Sequence, residues 1–566
     1  MNTWLVIGAL TSALGWLLPN HQLPWTSFHN DAWVAAVLLA FSWVSLFYIK
    51  NPQPWHRAAL FAAALSLVPL IQFSLGHVKL AGTAWIGSLY LMGFCLAILT
   101  GSRWGSVRPD ELPDALFLAI ACAATVSVAI QLCQWLNMSD GCLCSGNWVQ
   151  FAEENYRASA NLGQPNQLAT LLVWGVLAYG WAWMRKAVSA APAIAGIIFL
   201  LFGLALTGSR TGALALCLMT LCVWHWRRFW SSPGTPKTVA ILFFCYLVMV
   251  WLLPSLSHAL LLDYPSSLLS RTKDETRFDI WAMFLGAIWQ QPWFGYGWDQ
   301  TLFAQASAST VLPVALVARG TSYAHAHNLF VDLVLWMGIP LGFTVVAAIL
   351  FWVRRAVLYV KNSGDALLVM SVLAVGLHAM LELPLHYAYF LLPLGLVAGV
   401  IGGRLHTLPV FVTGIKSTAV IWFLVTLMFI FVVRDYFLAE ESYNELRLEK
   451  SRVLSKVPRS PPDVVLLTQL REVIIFARFE PTPQITAEQT VWLKSVALTY
   501  PTSQNLLKLA TALALTGQIP EALDWLGRIC EMSSKDQCGL EKVSWQRLQL
   551  KFPQLETVAW PDAISK

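Results

Sequence analysis

Apolar runs dominate the chain, and most come close to the roughly 20 residues that an α-helix needs to cross the hydrocarbon core of a bilayer. They fall at 3–18, 32–49, 58–75, 80–99, 113–136, 166–184, 191–207, 211–229, 238–253, 328–353, 366–381, 385–401 and 417–433. The pattern predicts an all-α, polytopic helical membrane protein with about thirteen transmembrane helices. Three polar segments, 137–165, 254–327 and 434–566, are too long to be simple connectors. The expected organisation is transmembrane helices over 1–136, a loop over 137–165, transmembrane helices over 166–253, a large loop over 254–327, transmembrane helices over 328–433 and a soluble helical C-terminal domain over 434–566.

Helical periodicity continues inside two of the polar segments. The stretch from Asp274 to Trp289 opens on acidic residues, which favour a helix N-terminus, and continues with apolar residues at helical spacing. It predicts a helix on, or dipping into, the membrane face. In the C-terminal segment, residues 506–526 read as two helices joined at Gly517, similar to a tetratricopeptide-type hairpin. One such hairpin cannot bury its own face. A cap packed on neighbouring helices and a peptide-binding groove are therefore both open.

Composition agrees with this pattern. Hydrophobic residues make up 57% of the 566 and charged residues 12%, against about a quarter charged in soluble domains. The 28 tryptophans suit the interfacial belts where an amphipathic indole rests at headgroup level. A net charge of +6 points to basic loop anchors rather than to a nucleic-acid partner. With the N-terminus inside, each expected inner loop is basic: Lys50 and Arg57, Arg103 and Arg108, Arg185 and Lys186, Arg227 to Lys237, Arg354 to Lys361, and Arg404 with Lys416. The opposite loops are poor in Lys and Arg; 137–165 holds only Arg157. Arg210, the histidines of the large loop and the C-terminal segment then lie outside. The first apolar run lacks a basic leader and a small-residue cleavage site, so it reads as a retained helix.

The ten cysteines divide by compartment. Cys95, Cys122, Cys133, Cys217, Cys222 and Cys245 lie in apolar runs and read as small hydrophobes. Cys142, Cys144, Cys530 and Cys538 are outside, where an oxidising compartment permits disulfides, and Cys530 with Cys538 is the first pairing expected. Zinc at Cys142 and Cys144 lacks further ligands at suitable spacing.

Polar groups at the outer ends of the helices carry the candidate chemistry. Arg210 interrupts two apolar runs in Gly-Ser-Arg-Thr-Gly, and a cation there calls for an anionic partner or a wet cavity. Arg277 opens Arg-Phe-Asp-Ile-Trp281. Two outward arginines suit a diphosphate, because guanidinium forks match its oxygens and stay charged in partly dry sites. Gly295-Tyr-Gly-Trp-Asp299 would let backbone approach a ligand. His325 and His327 stand in Thr321-Ser-Tyr-Ala-His-Ala-His-Asn328, in positions that point apart on an extended or helical backbone. An imidazole there can orient or deprotonate a hydroxyl. A metal needs a third ligand, for which Asp299, His378, His386 and Glu382 are candidates. Glu382, before helix-breaking Pro384, calls for a cationic or histidine partner.

These residues together resemble the superfamily of O-antigen ligases and Wzy-type polymerases over 195–400: Gly-Ser-Arg-Thr-Gly, Arg-Phe-Asp-Ile-Trp, Gly-Tyr-Gly-Trp and His-Ala-His-Asn before an apolar run. The segment Asn161-Leu-Gly-Gln-Pro-Asn-Gln167 and the helical C-terminal segment make the chain similar to the PglL-type O-oligosaccharyltransferases. The resemblance implies a metal-independent transfer without cofactor, in the bacterial inner membrane with the active site facing the periplasm. The implied donor is a glycan on undecaprenyl diphosphate; the implied acceptor is a Ser or Thr hydroxyl of a periplasmic protein such as type IV pilin. By motif, His327 would be the essential histidine with His325 second, and Gln164 or Gln167 and Tyr387 or Tyr389 would be the matching polar residues. Each of these pairs stays open. With Arg210 and Arg277 on the leaving diphosphate and His327 on the acceptor, single displacement with inversion is the expected course.

Two other readings share parts of this pattern. A lipopolysaccharide O-antigen ligase or Wzy-type polymerase would use the same donor with another acceptor. A transporter would also need many spans, but its ionisable groups belong near mid-membrane, whereas here they gather at the outer ends.

Overall fold

The computed structural model describes residues 3–138, 148–150, 157–262, 277–308, 320–405, 409–453 and 460–561. Among these the fold is helical, apart from a strand pair in which Gln53–Trp55 runs antiparallel to Phe411–Thr413. The expected apolar runs fall on helical segments in order, the run 58–75 being divided between Arg57–Ser66 and Val68–Ser74. Nine of these helices are long and apolar enough to cross a membrane: Phe28–Tyr48, Arg57–Ser74, Ala81–Val107, Glu111–Trp135, Pro165–Met184, Ala190–Thr207, Thr235–Ala259, Leu329–Tyr359 and Ile415–Lys450. Thr3–Trp16, Arg210–His225, Ser363–Ala379 and Ala388–Arg404 are apolar but shorter.

The chain forms two compact units. The first comprises Met1–Leu65, Tyr90–Glu275 and Ile349–Met428; the second comprises Ser66–Leu89, Thr276–Ala348 and Phe429–Lys566.

In the first unit the helix Pro165–Met184 is central, with Leu168, Ala169, Leu171, Leu172 and Val173 fully buried. Its start is set locally: Pro165 supplies a fixed φ at the first helical position, and the Gln164 side chain accepts the Gln167 amide. A second feature is close backbone approach. Gly101 and Gly105 face Gly399 and Gly403, and a Cβ on Gly101 would lie 2.2 Å from the Leu396 carbonyl oxygen. Small residues four apart let two helices meet at the backbone, where dispersion rather than water exclusion drives association in lipid.

A set of ion pairs gathers at one end of this unit. Arg185 pairs with Asp110 at 2.8 Å and Asp114 at 3.2 Å, while Arg404 pairs with Asp110 at 2.9 Å and Asp365 at 3.0 Å. Buried Arg103 donates to the carbonyls of Ser45 and Ile49. All are residues or neighbours of the expected inner loops, and Gln164, Tyr387 and His378 sit at the other ends of the helices that carry Arg185, Arg404 and Asp365. One cysteine reading needs correction: Cys133, in the last turn of Glu111–Trp135, is disulfide-bonded and is not a plain hydrophobe. Cys142 and Cys144 lie outside the described residues.

The second unit stacks the C-terminal helices into one core. Leu493, Leu506, Leu509, Leu526 and Ile529 pack there with Leu80 and Ala306, so the hairpin Ser503–Leu515 and Ile519–Met532 is covered by its neighbours. Gly517 joins the two helices at φ +80°, a conformation that costs glycine nothing. Cys530 and Cys538 form the expected disulfide. Asp435, fully buried, accepts the amides of Val465, Leu466 and Leu467 at 2.8, 2.6 and 3.1 Å.

Candidate active site

Within the first unit, three segments far apart in sequence come together around the Glu382 carboxylate. Gln164 Nε2 donates to its Oε2 at 2.7 Å, and Asn166 Nδ2 donates to Oε1. His378, one helical turn earlier, brings Nε2 to 3.5 Å from Oε2. Ser209 Oγ donates to Asn166 Oδ1 at 2.5 Å while accepting the Gly212 amide at 3.0 Å, which caps the helix that begins with Arg210. Thr170 Oγ1 and His378 Nδ1 are 2.8 Å apart. The motifs around residues 164, 210 and 382 are thus one hydrogen-bonded set. His386 is not a cationic partner for Glu382: burial pushes its imidazole down to about 4, so it is neutral near pH 7.

The two glutamines of the motif have different hydrogen-bond partners. Gln164 uses both ends of its amide, Oε1 on the Gln167 backbone and Nε2 on Glu382. Gln167 instead accepts from the Tyr389 hydroxyl at 2.6 Å, and both of these side chains are buried. Tyr387 is half-buried, its ring 5.2 Å from that of Tyr389, and burial raises its phenol above the ordinary value. Asn161, in the same motif, is structural: its Nδ2 reaches the carbonyls of Leu17 and Trp148, both at 2.8 Å.

Asp31 is a residue that sequence reasoning missed. Buried in the first turn of Phe28–Tyr48, it accepts from Ser27 Oγ at 2.6 Å, Tyr90 OH at 2.7 Å and the Ala388 amide at 2.6 Å. It thereby anchors the turn that carries Tyr387 and Tyr389. The available signal was an acidic residue at the mouth of an apolar run, where a charge has to be partnered. His378 was expected only as a possible metal ligand and Asn166 was given no role within its motif, although a histidine four residues before Glu382 on a helix shares its face.

Within the second unit, the histidine loop is held at several points. Gln305 Nε2 donates to the Thr321 carbonyl at 2.8 Å and its Oε1 accepts the Tyr323 amide at 2.8 Å. Asn328 Oδ1 accepts the amides of Phe330 and Val331, at 3.0 and 3.3 Å, and starts the helix Leu329–Tyr359. His327 has φ +53°, in the left-handed region that non-glycine residues rarely occupy. That turn overrides the divergence expected for residues two apart and brings the His325 and His327 rings to 4.1 Å between centroids. Tyr323 lies 6.4 Å from His327 ring to ring, and burial raises its phenol above the ordinary value. Arg277, half-buried, is the first residue of the helix Arg277–Gln290.

The glycines of Gly295-Tyr-Gly-Trp approach backbone of their own unit. Gly338, at φ +75°, interrupts the helix Leu329–Tyr359, and the carbonyls of Leu335 and Trp336 receive the amides of Tyr296 and Gly297 at 2.9 and 3.1 Å. A Cβ on Gly295 would sit 2.5 Å from the Gly338 nitrogen. Among the described residues, no three His, Cys, Asp or Glu side chains gather as a metal site requires.

Comparison with known proteins adds to this geometry. The family profile described as O-antigen ligase matches residues 195–346, and the one described as protein glycosylation ligase matches 158–183. A third, virulence factor membrane-bound polymerase, C-terminal, matches 366–544. The chain is 26% identical over 551 residues to the general O-oligosaccharyltransferase of Acinetobacter baylyi, covering 94% of this chain and 93% of that protein. It is 31% identical over 412 residues to the ComP-specific O-oligosaccharyltransferase of the same species, covering 71% of each.

Proposed function

Because the chain belongs to the PglL-type O-oligosaccharyltransferases of the O-antigen ligase superfamily, and is a glycosyltransferase of protein O-glycosylation, we propose that it transfers a glycan en bloc from undecaprenyl diphosphate to Ser or Thr hydroxyls of periplasmic proteins such as type IV pilin. The observation that carries this reading is similarity along nearly the whole chain to a protein named for general O-oligosaccharide transfer. The site lies at the periplasmic face of the inner membrane, in keeping with the basic loops at the other helix ends.

Each residue takes the role its chemistry suits. His327, half-exposed and beside His325, orients or deprotonates the acceptor hydroxyl. Arg210 and Arg277 bind the diphosphate and stabilise the charge that develops as it leaves. Glu382, with Gln164 and Asn166 donating to it, shapes a polar surface on which Gln164 and Tyr387 contact substrate, while Gln167 and Tyr389 support it from the buried side. The anomeric bond to the diphosphate oxygen breaks as the bond to the acceptor oxygen forms, so configuration inverts.

The test is co-expression with a lipid-linked glycan pathway and candidate acceptors, followed by intact mass of the pilin. Glycan on the pilin is the expected result. Glycan on lipid A alone, or longer lipid-linked chains without modified protein, would favour the ligase or polymerase reading that the match over 366–544 keeps in view. In a reconstituted assay, His327→Ala should lower kcat by roughly 10²-fold or more, with a smaller loss for His325→Ala. Wild-type turnover of His327→Ala would remove the assignment. Turnover should be unchanged by EDTA.

A further inference from the structure

We infer that Asp332 is a positioning residue for the histidine loop: its buried carboxylate holds the Ala326 amide and so sets the turn that presents His325 and His327 together. The inference rests on the reading that His327 acts on the acceptor hydroxyl.

Asp332 lies in the first turn of Leu329–Tyr359 and is fully buried. Its Oδ1 accepts the Ala326 amide at 2.9 Å and the Thr301 hydroxyl at 3.2 Å. Thr301 is oriented in turn by Trp336, whose indole nitrogen donates to Oγ1 at 2.8 Å. Thr301 and Ala326 are fully buried and Trp336 is 2% exposed. Trp336 and Asp332 are one turn apart on the same helix, so the carboxylate is held from both sides.

The contact with Ala326 is six residues back along the chain and lies outside helical capping range, since a cap reaches two or three residues. It acts on the loop. Pinning the Ala326 amide inward leaves the flanking residues, His325 and His327, on the accessible side; both are half-buried while Ala326 is sealed. It also supplies a directional bond beside His327, whose backbone lies in the left-handed region that non-glycine residues rarely occupy. A carboxylate is an expensive group to bury, and an apolar side chain of the same size would pack as well. Asp332 Oδ2 has no hydrogen-bond partner among the described residues, so the function resides in Oδ1. Asp332 is too buried to touch substrate and is not a catalytic residue.

Three measurements on the full-length protein in detergent or nanodiscs test the inference. Asp332→Ala should lower kcat at least about tenfold with the donor KM within about twofold, and Asp332→Asn, which keeps an oxygen at the Oδ1 position, should recover most of it. In a double-mutant cycle, Asp332→Ala should cost almost nothing once His327 is alanine; a second full loss on that background overturns the inference. Hydrogen exchange at the Ala326 amide should speed up in Asp332→Ala and stay slow in Asp332→Asn. Unchanged exchange overturns the positioning role whether or not His327 is catalytic, whereas fast exchange in an Asp332→Ala protein alongside an active His327→Ala would leave the anchor intact and remove only the catalytic reading. If Asp332→Ala fails to fold, Thr301→Val, nearly isosteric, removes one support of the carboxylate. It should lower kcat several-fold with partial loss of Ala326 protection, and wild-type values in both would count against the inference.

Discussion

Gln164 donates its side-chain amide to Glu382 at 2.7 Å, across 218 residues of chain. The bond joins the segment that begins one helix to the turn that ends another, and with Asn166 it gives the carboxylate two amide donors. Glu382→Ala should therefore leave two donors and His378 facing an emptied site. A loss of about 2–3 kcal/mol in unfolding free energy is expected, together with strongly reduced transfer. Glu382→Gln keeps one acceptor oxygen and should fall between the two. Thermal unfolding in detergent and reconstituted transfer measure the two effects; an alanine variant as stable and active as wild type would remove Glu382 from the site.

Asp31 is expected to matter through Ala388. Asp31→Ala frees the Ala388 amide and the hydroxyls of Ser27 and Tyr90. It should cost about 3 kcal/mol, since three donors lose one buried acceptor. Tyr90→Phe removes one donor only and should cost about 1 kcal/mol. If the two variants destabilise equally, the carboxylate does not anchor the turn. Transfer should follow the same order, because Tyr387 precedes the anchored residue.

The Cys530–Cys538 bridge closes a short loop, with a separation of eight residues. Chain-entropy arguments assign a closure of that length about 2.5 kcal/mol. Cys530→Ala with Cys538→Ala should lower the unfolding midpoint of the C-terminal helices, read by limited proteolysis against temperature. An unshifted profile would show that the core around Leu526 and Ile529 holds them without the bridge.

Lys508 offers a pH test. Its ammonium donates to the carbonyl of Phe476 at 2.7 Å, and burial, with Lys450 nearby, lowers its pKa to about 8. The folded state then binds fewer protons than the unfolded state between about 8 and the ordinary lysine value. Stability from this group is accordingly lowest below about pH 8 and rises as pH increases toward about 10.5. The difference in unfolding free energy between wild type and Lys508→Met should change in that direction across the window. A difference flat with pH would show that the lysine keeps its ordinary value.

How far the sequence could be read depended on whether a feature was local. Apolar runs showed where helices lie because crossing length and side-chain hydrophobicity are properties of contiguous residues. Gly517 and the pairing of Cys530 with Cys538 were legible for the same reason. Cys133 was misread because it ends an apolar run, where composition alone describes a hydrophobe. The glycines of Gly295-Tyr-Gly-Trp were conspicuous, yet their partner is the interruption at Gly338, some forty residues later. Gln164 and Gln167 could not be told apart by motif, since what separates them is the distant group each one meets.

The sequence by itself determined the helical membrane class, the polar segments, and the small set of histidines, arginines and amides from which a site has to be drawn. Tertiary structure alone decided which of them meet: Glu382 with Gln164 and Asn166, Asp31 with Ala388, and Asp332 with the amide between the two histidines. The physical reason is that hydrophobic length acts along the chain, whereas a buried polar group must find its partner in space, and the partner can lie anywhere in the sequence.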